Sequence, residues 1–195
     1  MSKKILVIFG TRPEAIKLSL LINKLSIDKR FETKVCVTAQ HREMLDDVLD
    51  IFKIKPDYDL NIMKSGIDLN NTLVKILTGL NDIFEQFKPD VILVQGDTTT
   101  VLAASLSSYY KQIPIAHVEA GLRTGKIYSP WPEEGNRRMT TAITKFHFAP
   151  TPSARDNLLK ENVTRDNIFI TGNTVIDSLF WIQNKIEKDT SLKKK

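Results

Sequence analysis

The stretch VILVQGDTTT (91–100), followed by IPIAHVEAGLRTG (113–125) and YSPWPEEGNRR (128–138), decides the fold. Val91–Gln95 and Ile113–Ala116 are short, β-branched runs without polar alternation, the pattern of parallel strands buried on both faces. Each run delivers a carboxylate where the chain leaves the sheet, Asp97 after the first and Glu119 after the second. A further pair, Glu133–Glu134, opens the next helical stretch. In an open α/β sheet the carboxyl ends of the strands border the ligand crevice. Acidic positions far apart in sequence can therefore converge on one cleft. With no Cys or His partners beside them they do not indicate a zinc site. They point to proton handling, or to hydroxyl recognition on a polar substrate.

Working outward, Ile5–Phe9 is a continuous apolar run and reads as a first buried strand. Gly10-Thr11-Arg12-Pro13-Glu14 is its turn, with Pro13 suited to the first position of a helix striped by Ala15, Ile16, Leu18, Leu21, Ile22 and Leu25. The second and third glycines of a dinucleotide fingerprint are missing. Arg12 and Lys17 place two cations beside a helix N-terminus, which itself favours anions; the alternative is a pair of solvated surface charges. Thr33–Thr38 gives a second strand, and the helix Glu43–Phe52 follows. His41 sits at that strand-to-helix junction, where a ligand-facing role and simple capping are both open. Tyr58–Ile62 forms a short strand and Ile67–Phe87 a long helix, with Gly66 and Asn70-Asn71-Thr72 at its start and Lys88-Pro89 at its end. Beyond Val91–Gln95 come a helix over Thr100–Tyr110, the strand Ile113–Glu119, and a loop over Ala120–Pro130 with Arg123 and Lys126 exposed. His117 lies two residues before Glu119 and so on the same strand face, as a structural or a catalytic group. A helix from Trp131 or Pro132 carries Glu133, Glu134, Asn136, Arg137 and Arg138. Acids in a first turn also serve simply as dipole complements. Phe146–Ala149 and Ile168–Ile170 are the last strands, with helices over Pro152–Lys160 and Val175–Glu187. About seven strands alternate with helices, so the expected architecture is α/β, a single doubly wound parallel sheet of Rossmann-like type.

The 195 residues suffice for a sizeable core. A composition of 42% hydrophobic and 26% charged residues is that of a globular protein. The net charge of +5 is modest, and Lys193, Lys194 and Lys195 account for part of it, which argues against a nucleic-acid surface. The single Cys36 lies in an apolar run and reads as a small core residue. No run approaches a membrane span or a signal-peptide pattern, so a cytoplasmic protein is expected.

Six motifs together carry a resemblance: GTRPEAIK (10–17), TAQHREML (38–45), GDTTT (96–100), HVEAGLRTG (117–125), SPWPEEGNRR (129–138) and FITGNTVIDS (169–178). In this order they resemble the bacterial non-hydrolysing UDP-N-acetylglucosamine 2-epimerases. The resemblance implies the N-terminal domain of a two-domain fold of the GT-B type. Residues 1–188 would form that Rossmann-like domain and 189–195 a polar tail, with the second nucleotide-binding domain absent. It implies interconversion of UDP-GlcNAc and UDP-ManNAc by elimination and re-addition of UDP, without a metal or other cofactor. Asp97, Glu119 and Glu133 are then the catalytic carboxylates, with Asp97 the leading base. Arg12, Lys17, His41 and Arg137 are the substrate-binding set, with cations and helix-terminal amides receiving the diphosphate. The implied partners are UDP-GlcNAc and either a second copy, met through Leu69–Phe87 and Thr100–Tyr110, or a complementary C-terminal half. In the family a C-terminal helix returns to cover the first domain, so exposed apolar surface is expected here. The alternative reading is a non-catalytic nucleotide-sugar-binding or dimerisation module that keeps the fold.

Overall fold

The computed structural model describes residues 2–38, 42–62 and 68–188. Seven strands pair in the order β3-β2-β1-β4-β5-β6-β7, and every pairing is parallel. They are β1 (Lys3–Phe9), β2 (Phe31–Val37), β3 (Tyr58–Asp59), β4 (Val91–Gln95), β5 (Ile115–Val118), β6 (Phe146–Ala149) and β7 (Ile168–Ile170). The helices between and after them are α1 (Arg12–Ile27), α2 (Arg42–Phe52), α3 (Leu69–Phe87), α4 (Thr99–Tyr110), α5 (Glu133–Ile143), α6 (Pro152–Lys160) and α7 (Thr174–Lys188). The expected doubly wound sheet is thus present, with a 3-10 turn at Arg165–Asn167 that the sequence reading did not include.

The order reverses between β1 and β4, where the chain stops adding strands on one side and starts on the other. That reversal opens the crevice beyond the carboxyl ends of these two strands. Two cores flank the sheet because alternate residues of each strand face opposite ways. Val7, Phe9, Val35, Val37 and Leu93 pack against α1 and α2. Leu6, Ile8, Cys36, Ile92, Val94 and Ile115 pack against α3 and α4. Ala120 and Ala149 form a smaller cluster with Ala154 and Leu158 of α6.

Some boundaries shift for local reasons. The long helix begins at Leu69, capped by the Asp68 side chain, which accepts from the Asn71 amide; Gly66 lies outside the described residues. Pro13 is the second helical residue, with Arg12 ahead of it and Thr11 at the cap. The strand expected to run to Glu119 ends at Val118 because Glu119 turns into the left-handed region at φ +66. The tail at 189–195 lies outside the described residues.

After β7 the chain returns across the sheet edge and α7 lies on α1. Trp181 stacks on Phe52 with centroids 4.8 Å apart, and the Ser178 hydroxyl donates to the Ile16 carbonyl at 2.6 Å. Beside this contact an apolar cleft opens on the same sheet face. Val91, Leu93, Ala116, Val118, Phe146 and Phe148, with Leu21 and Leu25, line this cleft of about 380 Å³. On α7, Leu179 and Phe180 are 64% and 57% exposed. The exposed apolar surface expected from the sequence is therefore present.

Candidate active site

Three turns meet at the switch point. The first follows β1, where Gly10 packs so tightly that a Cβ there would collide with the Thr38 and Thr100 hydroxyls, themselves hydrogen-bonded at 3.0 Å. Glu14, only 2% exposed, folds back over this turn. Its Oε2 accepts from the Gly10 amide at 3.0 Å and the Thr11 amide at 2.7 Å, and Oε1 accepts from the Thr98 hydroxyl at 2.7 Å. Burial pushes the Glu14 pKa up against these donors. Two amides of the turn ahead of this helix are therefore occupied by a carboxylate of the chain itself, and Pro13 has no N–H to offer. Arg12 is exposed and makes no hydrogen bond or ion pair with the described residues.

The second turn follows β4. Gly96 adopts φ +81 and its carbonyl accepts from His117 Nε2 at 2.6 Å. His117 is 1% exposed, and burial holds its pKa down at about 4 despite that bond. It is the structural member of the two readings, bracing the loop rather than facing the cleft. Asp97 comes next. Its carbonyl accepts from Asn136 Nδ2 at 2.8 Å, and its Oδ2 accepts from Arg137 Nε at 2.9 Å, with Nη2 at 2.7 Å. Asn136 and Arg137 belong to α5, so the helix start is pinned directly to the β4 turn.

The third turn follows β5. Glu119 is a non-glycine residue at φ +66, a conformation that costs on the order of 1–3 kcal/mol and persists only when its surroundings impose it. Lys17 Nζ lies 2.5 Å from Glu119 Oε2, and Gln95 Nε2 donates to the same oxygen. Both side chains of the ion pair are largely enclosed, at 22% and 12% exposure.

The two glutamates of α5 differ sharply. Glu134 is fully buried and uses both oxygens. Oε2 accepts from the Thr124 amide at 3.1 Å and Arg137 Nη1 at 3.0 Å; Oε1 accepts from the Gly125 amide at 3.4 Å and Arg138 Nε at 3.4 Å. Burial raises its pKa, but the Thr124 amide, the Arg137 guanidinium and the Gly125 amide outweigh it and hold the carboxyl below its usual value. Glu133 is half-buried and its Oε2 is enclosed without a partner. Glu134 is an anchor, and Glu133 keeps an oxygen for other use.

Of the residues singled out in the sequence, Asp97, Glu119, Lys17 and Arg137 stand in two charge pairs at the switch point, and Glu133 opens the helix pinned to them. His41 lies outside the described residues. Arg123 corrects an expectation: its side chain is 8% exposed, not solvated, because Glu161 and the Thr141 hydroxyl draw it inward. Gln95, Glu14 and Asn136 carry contacts that sequence reading did not assign. The T-x-x-E spacing of Thr11 and Glu14 is a readable capping-box signal. No local signal marks Gln95, a polar end to an apolar run. Among the described residues no group of three His, Cys, Asp or Glu is placed to hold a metal ion.

A family model described as UDP-N-acetylglucosamine 2-epimerase matches residues 23–195. A UDP-N-acetylglucosamine 2-epimerase of Yersinia pestis is 57% identical over 190 residues, covering 97% of this chain and 50% of the relative. The crystal structure of UDP-GlcNAc 2-epimerase from Neisseria meningitidis bound to UDP-GlcNAc superposes with a TM-score of 0.93 at 53% identity, over 98% of this chain and 52% of that one. The Methanocaldococcus jannaschii UDP-GlcNAc 2-epimerase in complex with UDP-GlcNAc and UDP gives 0.89 at 37% identity, over 95% and 51%. The chain spans about half the length of the curated relatives it matches.

Proposed function

The chain belongs to the UDP-N-acetylglucosamine 2-epimerase family, and from that premise we propose that it supplies one wall of a site that interconverts UDP-GlcNAc and UDP-ManNAc. The observation that carries this reading is the pairing of Asp97 with Arg137 and of Glu119 with Lys17 at the carboxyl ends of β4 and β5. A base takes the C2 proton as the C1–O bond breaks; the C2–H electrons form the C1=C2 bond of 2-acetamidoglucal, and UDP leaves with the C1–O pair. Re-addition of UDP to C1, with a proton delivered to the other face of C2, gives the epimer. Asp97 is the proposed base, held in place by Arg137. Glu119 and Glu133 are its proposed partners, in relaying the proton or positioning the sugar. Lys17 and Arg12 meet the charge that develops on the departing diphosphate, with His41 and Arg137 further substrate contacts. UDP-GlcNAc is the proposed ligand, the cytoplasm the proposed location, and a second copy or a complementary half the proposed partner; no described helix is long and apolar enough to cross a membrane.

The test uses this chain together with a complementary half. The assembly should exchange solvent deuterium into C2 of UDP-GlcNAc, and Asp97→Asn should abolish exchange with the fold intact. Wild-type-like exchange in that variant removes Asp97 from the chemistry. The exposed apolar side of α7 favours a second reading, a binding or dimerisation module without turnover of its own. Under it the assembly would bind the nucleotide sugar and exchange no deuterium.

A further inference from the structure

The turn that should receive a diphosphate is already satisfied by two carboxylates of the chain. Glu14 takes the Gly10 and Thr11 amides. Glu119 takes the Lys17 ammonium at 2.5 Å. The two are not equivalent. Glu14 is enclosed, with three donors on its two oxygens, so displacing it would strand a buried charge. Glu119 borders the cleft, sits on strained backbone, and has a second donor on the same oxygen in Gln95. When Lys17 leaves, Glu119 keeps one hydrogen bond, from Gln95. An ammonium is a compact charge with rotatable donors on a flexible stem, suited to changing partners. Arg12, exposed and unpaired among the described residues, stands at the mouth of the same turn.

Resting on the nucleotide-sugar reading above, we propose that Lys17 exchanges partners when a nucleoside diphosphate binds. Its ammonium leaves Glu119 for a phosphate oxygen, with Arg12 beside it, and Gln95 remains as the donor on Glu119. Arrival of the diphosphate and release of Glu119 from its counter-ion are then one event. The carboxylate closes the subsite in this structure and becomes available to the sugar only once the phosphates have taken its place.

Inorganic pyrophosphate is the probe, titrated calorimetrically into the full chain and three variants. Glu119→Gln removes the competitor and should tighten binding roughly threefold or more, while Lys17→Met should weaken it roughly tenfold. In the Lys17→Met background, Glu119→Gln should gain less than about twofold, because the competition runs through Lys17. An equal gain in both backgrounds would reduce Glu119 to a general field effect and overturn the proposal. So would unchanged or weaker binding by Glu119→Gln, or no binding by it or the wild type up to about 10 mM. The Lys17 ammonium resonance, followed by NMR in the wild type, is independent of how the variants fold. It should move with pyrophosphate occupancy, and a static resonance overturns the proposal too. Loss of C2 exchange in the assembled enzyme leaves this titration unaffected, so the two readings fail separately.

Discussion

At the residue scale, adjacent carboxylates with identical chemistry do different work because the helix turns one inward. Glu134 holds two loop amides and two guanidinium groups, so Glu134→Ala should destabilise the chain by about 1–3 kcal/mol by leaving the Thr124 and Gly125 amides without their acceptor, while Arg137 keeps Asp97. Glu133→Gln should stay within about 0.5 kcal/mol of wild type, since its enclosed oxygen makes no bond to lose. Urea denaturation of the two variants checks the contrast, and a reversal would exchange anchor and chemistry between them. The acidic positions themselves were legible, because Asp97 and Glu119 end apolar runs. Which glutamate of the pair was the anchor was not, since one residue of helical rotation decides it. Arg123 reads as a loop cation until Glu161, 38 positions later, comes into contact. Gly10→Ala should cost about 1–3 kcal/mol in the same assay, through collision with Thr38 and Thr100.

At the element scale, β5 and β6 set two imidazoles side by side, His117 opposite His147, each 1% exposed. Burial holds both pKa values at about 4, and at His147 the neighbouring His117 adds to it against a bond to the Thr144 carbonyl. Depressed imidazole values mean that the unfolded chain binds protons the folded one refuses. Stability is therefore complete above the ordinary value of 6.5 and is lost as pH falls from there towards 4. At about 1.4 kcal/mol per unit, each ring contributes on the order of 3 kcal/mol of that loss. Denaturation midpoints between pH 7.5 and 5 should fall steeply, and His147→Gln should make the fall shallower; a flat profile would contradict buried neutral rings. Strands β4, β6 and β7 were readable to the residue because apolar runs end where the sheet ends. The end of β5 was not, because nothing in the apolar run marks the left-handed turn at Glu119.

At the scale of the whole molecule, the exposed apolar side of α7, with Leu179 and Phe180 beside the cleft over β4, β5 and β6, is surface that water tolerates poorly. The chain alone should self-associate at tens of micromolar, measured by light scattering on a size-exclusion column, and Leu179→Lys with Phe180→Glu should reduce it. A monodisperse wild-type monomer would dispose of the argument. The parallel, doubly wound sheet followed from alternating strands and helices, but the return of α7 did not, since nothing local to 174–188 names α1 as its seat. That return has a consequence for how the protein is made. Ser178 and Ile16 are 162 positions apart, so the outer side of the first helix is covered only after the chain through Ser178 has left the ribosome. Throughout that interval Phe52 lacks Trp181, and the growing polypeptide carries an oily flank that a chaperone can hold. The early βα units can form in order as they emerge, but the latch that closes them arrives well after them, and the rate of synthesis sets how long they stand open.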